Sequence, residues 1–261
     1  MKLRLALAAL GFAALSAVAW AQAEQPAAKF DDAQKKAIQD IVREYLVANP
    51  EILLEMNQAF ERKQELARAE AVTKRLPEFY KALAEMKDEL APFTVGSGDV
   101  TLIEFFDYNC GYCRRALPDI TALMEKDKDI RTVFIEYPVL SQGSLDAARV
   151  GVAAARQGKY FEFHTALMQA GRADEAAALR IAEKIGLDIA KLKADMEAPE
   201  TAQFLAKMAQ LGRGLFIDGT PSFIIGDEIY PGAAEAEQLQ KMVSKVRTSG
   251  CQACVKDDKK S

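Results

Sequence analysis

The chain has 261 residues, half of them hydrophobic, with 34 basic side chains against 38 acidic ones and a net charge of −4. That acidic balance argues against a nucleic-acid partner, whose phosphates call for the opposite sign. One histidine, His164, rules out a histidine-rich metal site, and four cysteines are far too few for a disulfide scaffold in a chain long enough to bury its own core.

Residues 1–23 read as an export signal: Lys2 and Arg4, an apolar run from Leu5 to Trp20, and Ala21-Gln22-Ala23 as the cleavage site. The run is short for a membrane span, and Glu24 rather than a cysteine follows the site, so no lipid anchor is expected. Loss of Lys2 and Arg4 takes the net charge from −4 to −6. All four cysteines stay in the exported part, where the surroundings are oxidising.

A helix is predicted within residues 30–57, capped at Phe30-Asp31-Asp32-Ala33 and carrying Ile38, Ile41, Val42 and Tyr45 at helical spacing. Asn49-Pro50-Glu51 breaks it and opens a second helix, to about Arg75, on Leu53, Met56, Phe60, Leu66 and Ala67. Pro77 is expected to interrupt, with Glu78–Leu90 resuming on Phe79, Leu83, Met86 and Leu90. Lys63 and Glu70 spoil a strict heptad. This arm, residues 24–90, therefore either packs on its own chain or meets further copies of it.

Ala91 to Asp99 has the composition of a linker and turn. Val100–Phe106 is a buried strand, Cys110–Glu125 a helix and Arg131–Tyr137 a second strand, which makes a β-α-β unit with a parallel pair. From Ser141 to Leu211 the chain is Ala-rich and helical, an inserted subdomain. Sheet signals return in Gly219–Gly226 and Glu228–Tyr230 before a closing helix over Ala233–Val246. From Gly250 a polar, free tail is expected.

The chemistry centres on Cys110-Gly111-Tyr112-Cys113, at the junction of the first strand and its helix. A thiol at a helix N-terminus meets free N–H groups and the positive dipole end, which favour the thiolate. One turn on, Cys113 can close a disulfide or resolve a mixed one. The pattern points to thiol–disulfide exchange. A zinc site would need Cys251 and Cys254 as its other ligands, at a spacing far from compact four-cysteine sites, so no metal is expected.

Phe105 to Arg115, with the sequence FFDYNCGYCRR, resembles the active-site segment of DsbA-like thioredoxin-fold disulfide oxidoreductases. Thr220-Pro221-Ser222-Phe223 resembles their cis-proline loop, Phe161 to Leu167 a segment of their helical insertion, and Tyr45 to Glu51 the N-terminal extension of the suppressor-of-copper-sensitivity ScsC subgroup. The resemblance implies an α/β chain: a thioredoxin fold over 91–250 with a helical insertion at about 141–214, an N-terminal helical arm, and a polar tail, 251–261, bearing a second CxxC. It also implies a cis Thr220–Pro221 peptide that exposes the Thr220 backbone to an extended substrate. Glu104 corresponds to the family's buried acid. A carboxyl in an apolar strand should have a raised pKa and can relay a proton to or from Cys113.

Gly111-Tyr112 between the cysteines, and Thr220 before the proline, are similar to the isomerase branch rather than to the oxidase. The reading is thus a periplasmic thiol–disulfide oxidoreductase leaning to isomerase or reductase. Cys110 is its nucleophile and Cys113 its resolving thiol, and the Cys110–Cys113 disulfide is its redox centre, with no further cofactor; Cys251 and Cys254 read as a short tail disulfide or as thiols of no consequence, the functional alternative being a second redox pair or copper-binding thiolates. Exported proteins with cysteines are the substrates, a membrane protein the redox partner, and residues 30–90 a means of homo-oligomerisation. A monomeric dithiol oxidase is the alternative. From another class comes a copper-handling or chaperone-like binding protein that uses Cys251 and Cys254 as soft ligands as well. His164, among Tyr160, Phe161, Phe163 and Leu167, reads as a packed histidine rather than a base, and Arg114 and Arg115 as neighbours able to favour the thiolate.

Overall fold

The computed structural model describes residues 30–254, so the export signal expected at 1–23 lies outside the described residues. The chain divides into two compact units between Ala59 and Phe60. In the first, α1 spans Asp32–Ala48 and opens with a capping box: the Asp31 carboxylate accepts the Gln34 N–H at 2.8 Å, and the Gln34 side chain accepts the Asp31 N–H at 3.0 Å. Asn49 closes α1 on the Tyr45 carbonyl, and α2, Glu51–Glu85, begins directly after Pro50. No residue of α1 is buried, and Ile38, Ile41, Val42, Tyr45, Leu46 and Val47 all face solvent.

The second unit holds the rest of α2, which runs unbroken through Pro77. The expected interruption is thus corrected. Leu76, Phe79 and Tyr80, on both sides of the proline, are buried, and the Tyr80 hydroxyl donates to the Gly226 carbonyl at 2.7 Å. Burying three large side chains contributes about 1.5–3 kcal/mol each, which outweighs the roughly 3 kcal/mol an internal proline costs a helix. A short α3, Lys87–Leu90, and one 3₁₀ turn, Ala91–Phe93, lead into β1, Thr94–Val95. The sequence pattern suggested only a linker here, because two residues are too few to show alternation.

Next come β2 (Val100–Phe106), α4 (Gly111–Lys126) and β3 (Ile130–Glu136). Five helices separate β3 from the next strand: α5 Gln142–Arg156, α6 Tyr160–Gln169, α7 Glu175–Lys184, α8 Ile189–Glu197 and α9 Pro199–Gly214. The chain then forms β4 (Ser222–Ile225), β5 (Glu228–Pro231) and α10 (Ala236–Ser249). The sheet order is β1-β3-β2-β4-β5, with β2 and β3 parallel and the other pairs antiparallel. At its centre, β2 is covered on both faces, which is why it reads as a continuous apolar run. Glu104 breaks that run, placed between Phe134 of β3 and Phe223 of β4.

The tail is not free as far as Cys254. Cys251 and Cys254 form a disulfide, and the Asp227 carboxylate accepts the N–H groups of Gln252 and Ala253, both at 2.8 Å. Gly226, at φ +60°, lets Val246 near the end of the last helix pack against the β4–β5 turn: a Cβ there would lie 2.4 Å from the Val246 side chain. Among the described residues, no helix is long and apolar enough to cross a membrane.

Candidate active site

The central strand delivers the chain to the rim of the sheet, and Asp107-Tyr108-Asn109 turns it into α4. Cys110 is the N-cap of that helix, and its sulfur accepts the Cys113 N–H at 3.2 Å. Both cysteines are free thiols and both are buried, Cys113 completely. The Thr220–Pro221 peptide is cis, and the Cys110 thiol donates to the Thr220 carbonyl at 3.1 Å. Residues far apart in sequence, Cys110, Cys113, Thr220 and Pro221, therefore meet at one place.

The two sulfurs differ sharply. A hydrogen bond from the Cys113 thiol is the main reason that the Cys110 pKa falls to about 5, against the opposing effect of burial; the N–H groups of Cys113 and Tyr112 add to the lowering. Cys113 goes strongly upward, first through burial, then through its bond to Cys110 and the nearby negative charge of Glu104. One thiol is thus a thiolate at neutral pH and its neighbour holds its proton.

Glu104 is 1% exposed, and neither carboxyl oxygen has a hydrogen-bond partner. Burial, and secondarily the charge of Cys110, pushes its pKa up to about 8. The carboxyl is therefore poised to take or give a proton near neutrality. Beside the pair Tyr112 is 60% exposed, and the exposed Val139 and Leu140 are joined through their N–H groups to Asp107, three residues before Cys110. A Cβ on Gly111 would meet only the Arg115 side chain, at 3.8 Å.

Neither arginine is aimed at the Cys110 sulfur. Arg114 donates to the Tyr108 carbonyl at 2.7 Å, and the Arg115 guanidinium lies 4.2 Å over the Tyr112 ring. His164 is fully buried, packed against the rings of Phe106, Tyr108, Phe134 and Tyr160, and its pKa is driven down to about 3 by burial, so it stays neutral. The tail pair is elsewhere. Cys251 and Cys254 help line a cavity of about 690 Å³ with Val100 and Thr101, the start of β2, whereas Cys110 follows its end. The four sulfurs are not brought together. Among the described residues, no three His, Cys, Asp or Glu side chains are grouped to hold a metal ion.

Two further residues of the site carried no assignment in the sequence. Asp107 accepts the N–H groups of Val139 and Leu140 at 2.9 and 3.0 Å with one oxygen, and that of Asn109 at 2.7 Å with the other. The Asn109 amide donates to the Ala173 carbonyl at 2.7 Å and to Ser144 at 3.1 Å, and accepts the Ala173 N–H at 2.9 Å. Together they tie the turn before Cys110 to the loop after β3 and to the loop between α6 and α7. The available signal was two side chains that bond to backbone, placed at the end of a buried strand. Beneath them the buried Glu136 carboxyl accepts from the Tyr108 and Tyr160 hydroxyls at 2.9 and 3.1 Å. Burial raises the pKa of Glu136 well above the usual carboxylate range.

Fold and thiol pair are those of a thioredoxin-fold thiol–disulfide oxidoreductase. The model of the thioredoxin family matches residues 95–245, more than half of the chain, and the chain belongs to that family. Residues 34–67 match the model of the copper resistance protein ScsC N-terminal domain. A thioredoxin-like oxidoreductase from Silicibacter pomeroyi is 47% identical, with 59% of this chain and 91% of that one covered and a TM-score of 0.58. A linker-deletion variant of Proteus mirabilis ScsC is 28% identical over 85% of this chain and 99% of that one, with a TM-score of 0.59. The thiol-disulfide exchange protein alpha-DsbA2 from Wolbachia pipientis is 28% identical over 66% and 98%, with a TM-score of 0.57. The resemblance to DsbA-like and ScsC proteins holds. The chain spans about a fifth of the length of the curated relatives it matches: a Na(+)/H(+) antiporter, NhaA 3 of Salinispora tropica, is 28% identical over 149 residues, which are 55% of this chain and 22% of that protein.

Proposed function

We propose that this protein works in the periplasm on exported proteins with cysteines, as a disulfide isomerase or reductase kept reduced by a membrane partner. Cys110 is the nucleophile, Cys113 the resolving thiol and Glu104 the proton relay, while Gly111, Tyr112, Thr220 and Pro221 receive the substrate. The asymmetry of the two sulfurs carries this reading: one at about 5, against the Thr220 carbonyl, and one buried with its proton held.

The Cys110 thiolate attacks one sulfur of a substrate disulfide. A Cys110–substrate disulfide forms, and the other substrate sulfur leaves as a thiolate that takes a proton from water. If a second substrate thiolate then attacks the substrate sulfur of that mixed disulfide, Cys110 leaves as a thiolate and the substrate is isomerised with no net redox change. If instead Cys113 passes its proton to the Glu104 carboxylate and attacks the Cys110 sulfur, the second substrate thiolate leaves. The substrate is then reduced by two electrons, and Cys110–Cys113 becomes a disulfide. The electron donor that restores the dithiol is the membrane partner.

Exposed Ile38, Ile41, Val42 and Tyr45 on one helix support homo-oligomerisation through residues 30–90, which would present several thiol pairs to one client. The low Cys110 value favours a second reading, a monomeric oxidase, because a good leaving group makes a stronger oxidant. Refolding of scrambled ribonuclease separates them. An isomerase restores activity from the reduced state, and Cys110→Ala abolishes it; full activity in Cys110→Ala sinks the reading. Solution mass of the chain with and without residues up to Ala59 tests the arm, and a monomer in both favours the oxidase. The cut belongs there because Leu76, Phe79 and Tyr80 are part of the catalytic unit's core.

A further inference from the structure

The loop that ends in Thr220–Pro221 carries one residue that its own backbone disfavours. Phe216 has φ +56°, the left-handed region that an L-residue with a bulky side chain enters only when its surroundings hold it there. The holding groups come from α2, in the same compact unit. The Arg75 guanidinium donates to the Gly214 carbonyl at 3.0 Å and lies 4.4 Å over the Phe216 ring. One nitrogen of Arg68 donates to the Phe216 carbonyl and another bonds the Asp218 carboxylate at 3.1 Å. Two arginines two helical turns apart thus grip the loop before, at and after its left-handed residue.

From there the path to the nucleophile is short. Only Gly219 separates Asp218 from Thr220, whose carbonyl takes the Cys110 thiol at 3.1 Å. The other side of the segment rests on Tyr137, whose hydroxyl donates to the Ile217 carbonyl at 2.8 Å, and Ser222 donates to the Gly219 carbonyl at 2.8 Å. Exposed ion pairs contribute little to stability, so the Arg68–Asp218 pair is poorly explained as a stabilising device. A planar fork that bonds a carbonyl and a carboxylate together, and a second guanidinium stacked on a ring, fix geometry instead.

We propose that Arg68 and Arg75 are positioning residues for substrate capture: they set the 214–218 segment so that the Thr220 backbone stands where a substrate strand and the Cys110 sulfur meet. This rests on the reading of Cys110 as nucleophile and of the Thr220–Pro221 loop as the substrate seat. The arginines touch neither sulfur, so their effect falls on binding and on the surroundings of Cys110 rather than on the attack itself.

The test compares the full chain with its Arg68→Ala/Arg75→Ala variant, using a disulfide-linked peptide substrate and ultraviolet thiolate absorbance. The expected result is a rise in KM of about tenfold with kcat within about twofold, and a downward move of the Cys110 titration midpoint, since the Thr220 carbonyl accepts from the thiol, favours its protonated form, and is loosened. Unchanged KM and midpoint in a folded double variant overturn the proposal. Arg68→Lys, which keeps the charge but loses the fork, is expected to behave like Arg68→Ala, and full rescue by lysine would also overturn it. Should the double variant not fold, Phe216→Gly removes the ring under Arg75 while accepting the left-handed backbone. Its KM is expected to rise about threefold, and an unchanged KM counts against the proposal. Cys110→Ala runs in parallel: activity retained there defeats the reading of the site, whereas activity lost there and untouched in the arginine variants defeats the positioning role alone.

Discussion

Replacing Glu104 by glutamine should make the reduced protein more stable, and by an amount that depends on pH. The carboxyl is buried without a hydrogen-bond partner and has its pKa raised from 4.5 to about 8. Because the folded value lies above the unfolded one, the folded state binds the proton more tightly. The parent is therefore most stable below pH 4.5 and loses stability as pH rises towards 8. At pH 7 the loss is about 3 kcal/mol, at 1.36 kcal/mol for each unit between 4.5 and 7. Glutamine has nearly the same shape and no charge to bury, so Glu104→Gln removes the loss and keeps the packing. Urea unfolding of both proteins in reducing buffer, at pH 4.5, 6, 7 and 8, measures it. The two curves should coincide near pH 4.5 and separate to about 3 kcal/mol at pH 7, with the variant ahead. The gap should shrink in the Cys110–Cys113 disulfide form, where the Cys110 charge that helps raise Glu104 is gone. A gap independent of pH, or a variant less stable at pH 8, refutes the argument. Exchange should slow in the same variant, since the proposed relay is lost, which is the usual cost of a stabilising change at an active site.

Cys110 should titrate near pH 5 by thiolate absorbance; its fall from 9.0 stabilises the reduced fold by about 3 kcal/mol at pH 7, a gain that disappears as pH drops through 5. Equilibration with glutathione should accordingly place the pair roughly 60 mV above an unfolded peptide of the same motif, and equal potentials would contradict the assignment. Asn109→Ala leaves the Ala173 N–H and carbonyl without their partner and should cost about 2 kcal/mol in urea unfolding, with slower exchange. Gly151→Ala puts a Cβ 2.6 Å from a Glu136 oxygen and should destabilise by about 1–3 kcal/mol, read as a lower melting temperature. Cys251→Ser with Cys254→Ser opens only a very short ring, so a loss of about 1–2 kcal/mol with an unchanged exchange rate is expected; a slowed rate would give the tail pair a part in the reaction.

How much of this could be read from the sequence follows the range of each interaction. The β2–α4 junction was plain, because a strand covered on both faces reads as an unbroken apolar run and Cys110 follows it at once. Glu104 stood out as the one charge in that run, but its unpaired state depends on Phe134 and Phe223 from two other strands. Pairing of Thr220 with Cys110, 110 residues apart, was accessible only through family resemblance. The contacts that escaped have no local pattern at all. Asn109 meets Ala173 across 64 residues, Arg75 meets Gly214 across 139 and Arg68 meets Asp218 across 150. Pro77 misled because local cost was read without the burial of Leu76, Phe79 and Tyr80, which overrides it. The docked tail was missed for a similar reason: Asp227, its anchor, sits in the β4–β5 turn.

The unlike behaviour of two identical side chains three residues apart has one structural source. At the N-cap of a helix the sulfur faces free N–H groups and the rim of the sheet; one turn later the next sulfur has been carried beneath it, into the core. Burial alone would make Cys113 inert, holding a proton that nothing nearby could accept. An uncharged residue at position 104 would give a more stable protein and leave it so. The unpaired carboxyl breaks the apolar rule of a central strand, and it does so beside the one thiol that, in the proposed mechanism, loses a proton to resolve the mixed disulfide. The destabilisation worked out for Glu104 and the chemistry proposed for Cys113 are therefore one design, seen first in the folding equilibrium and then in the reaction.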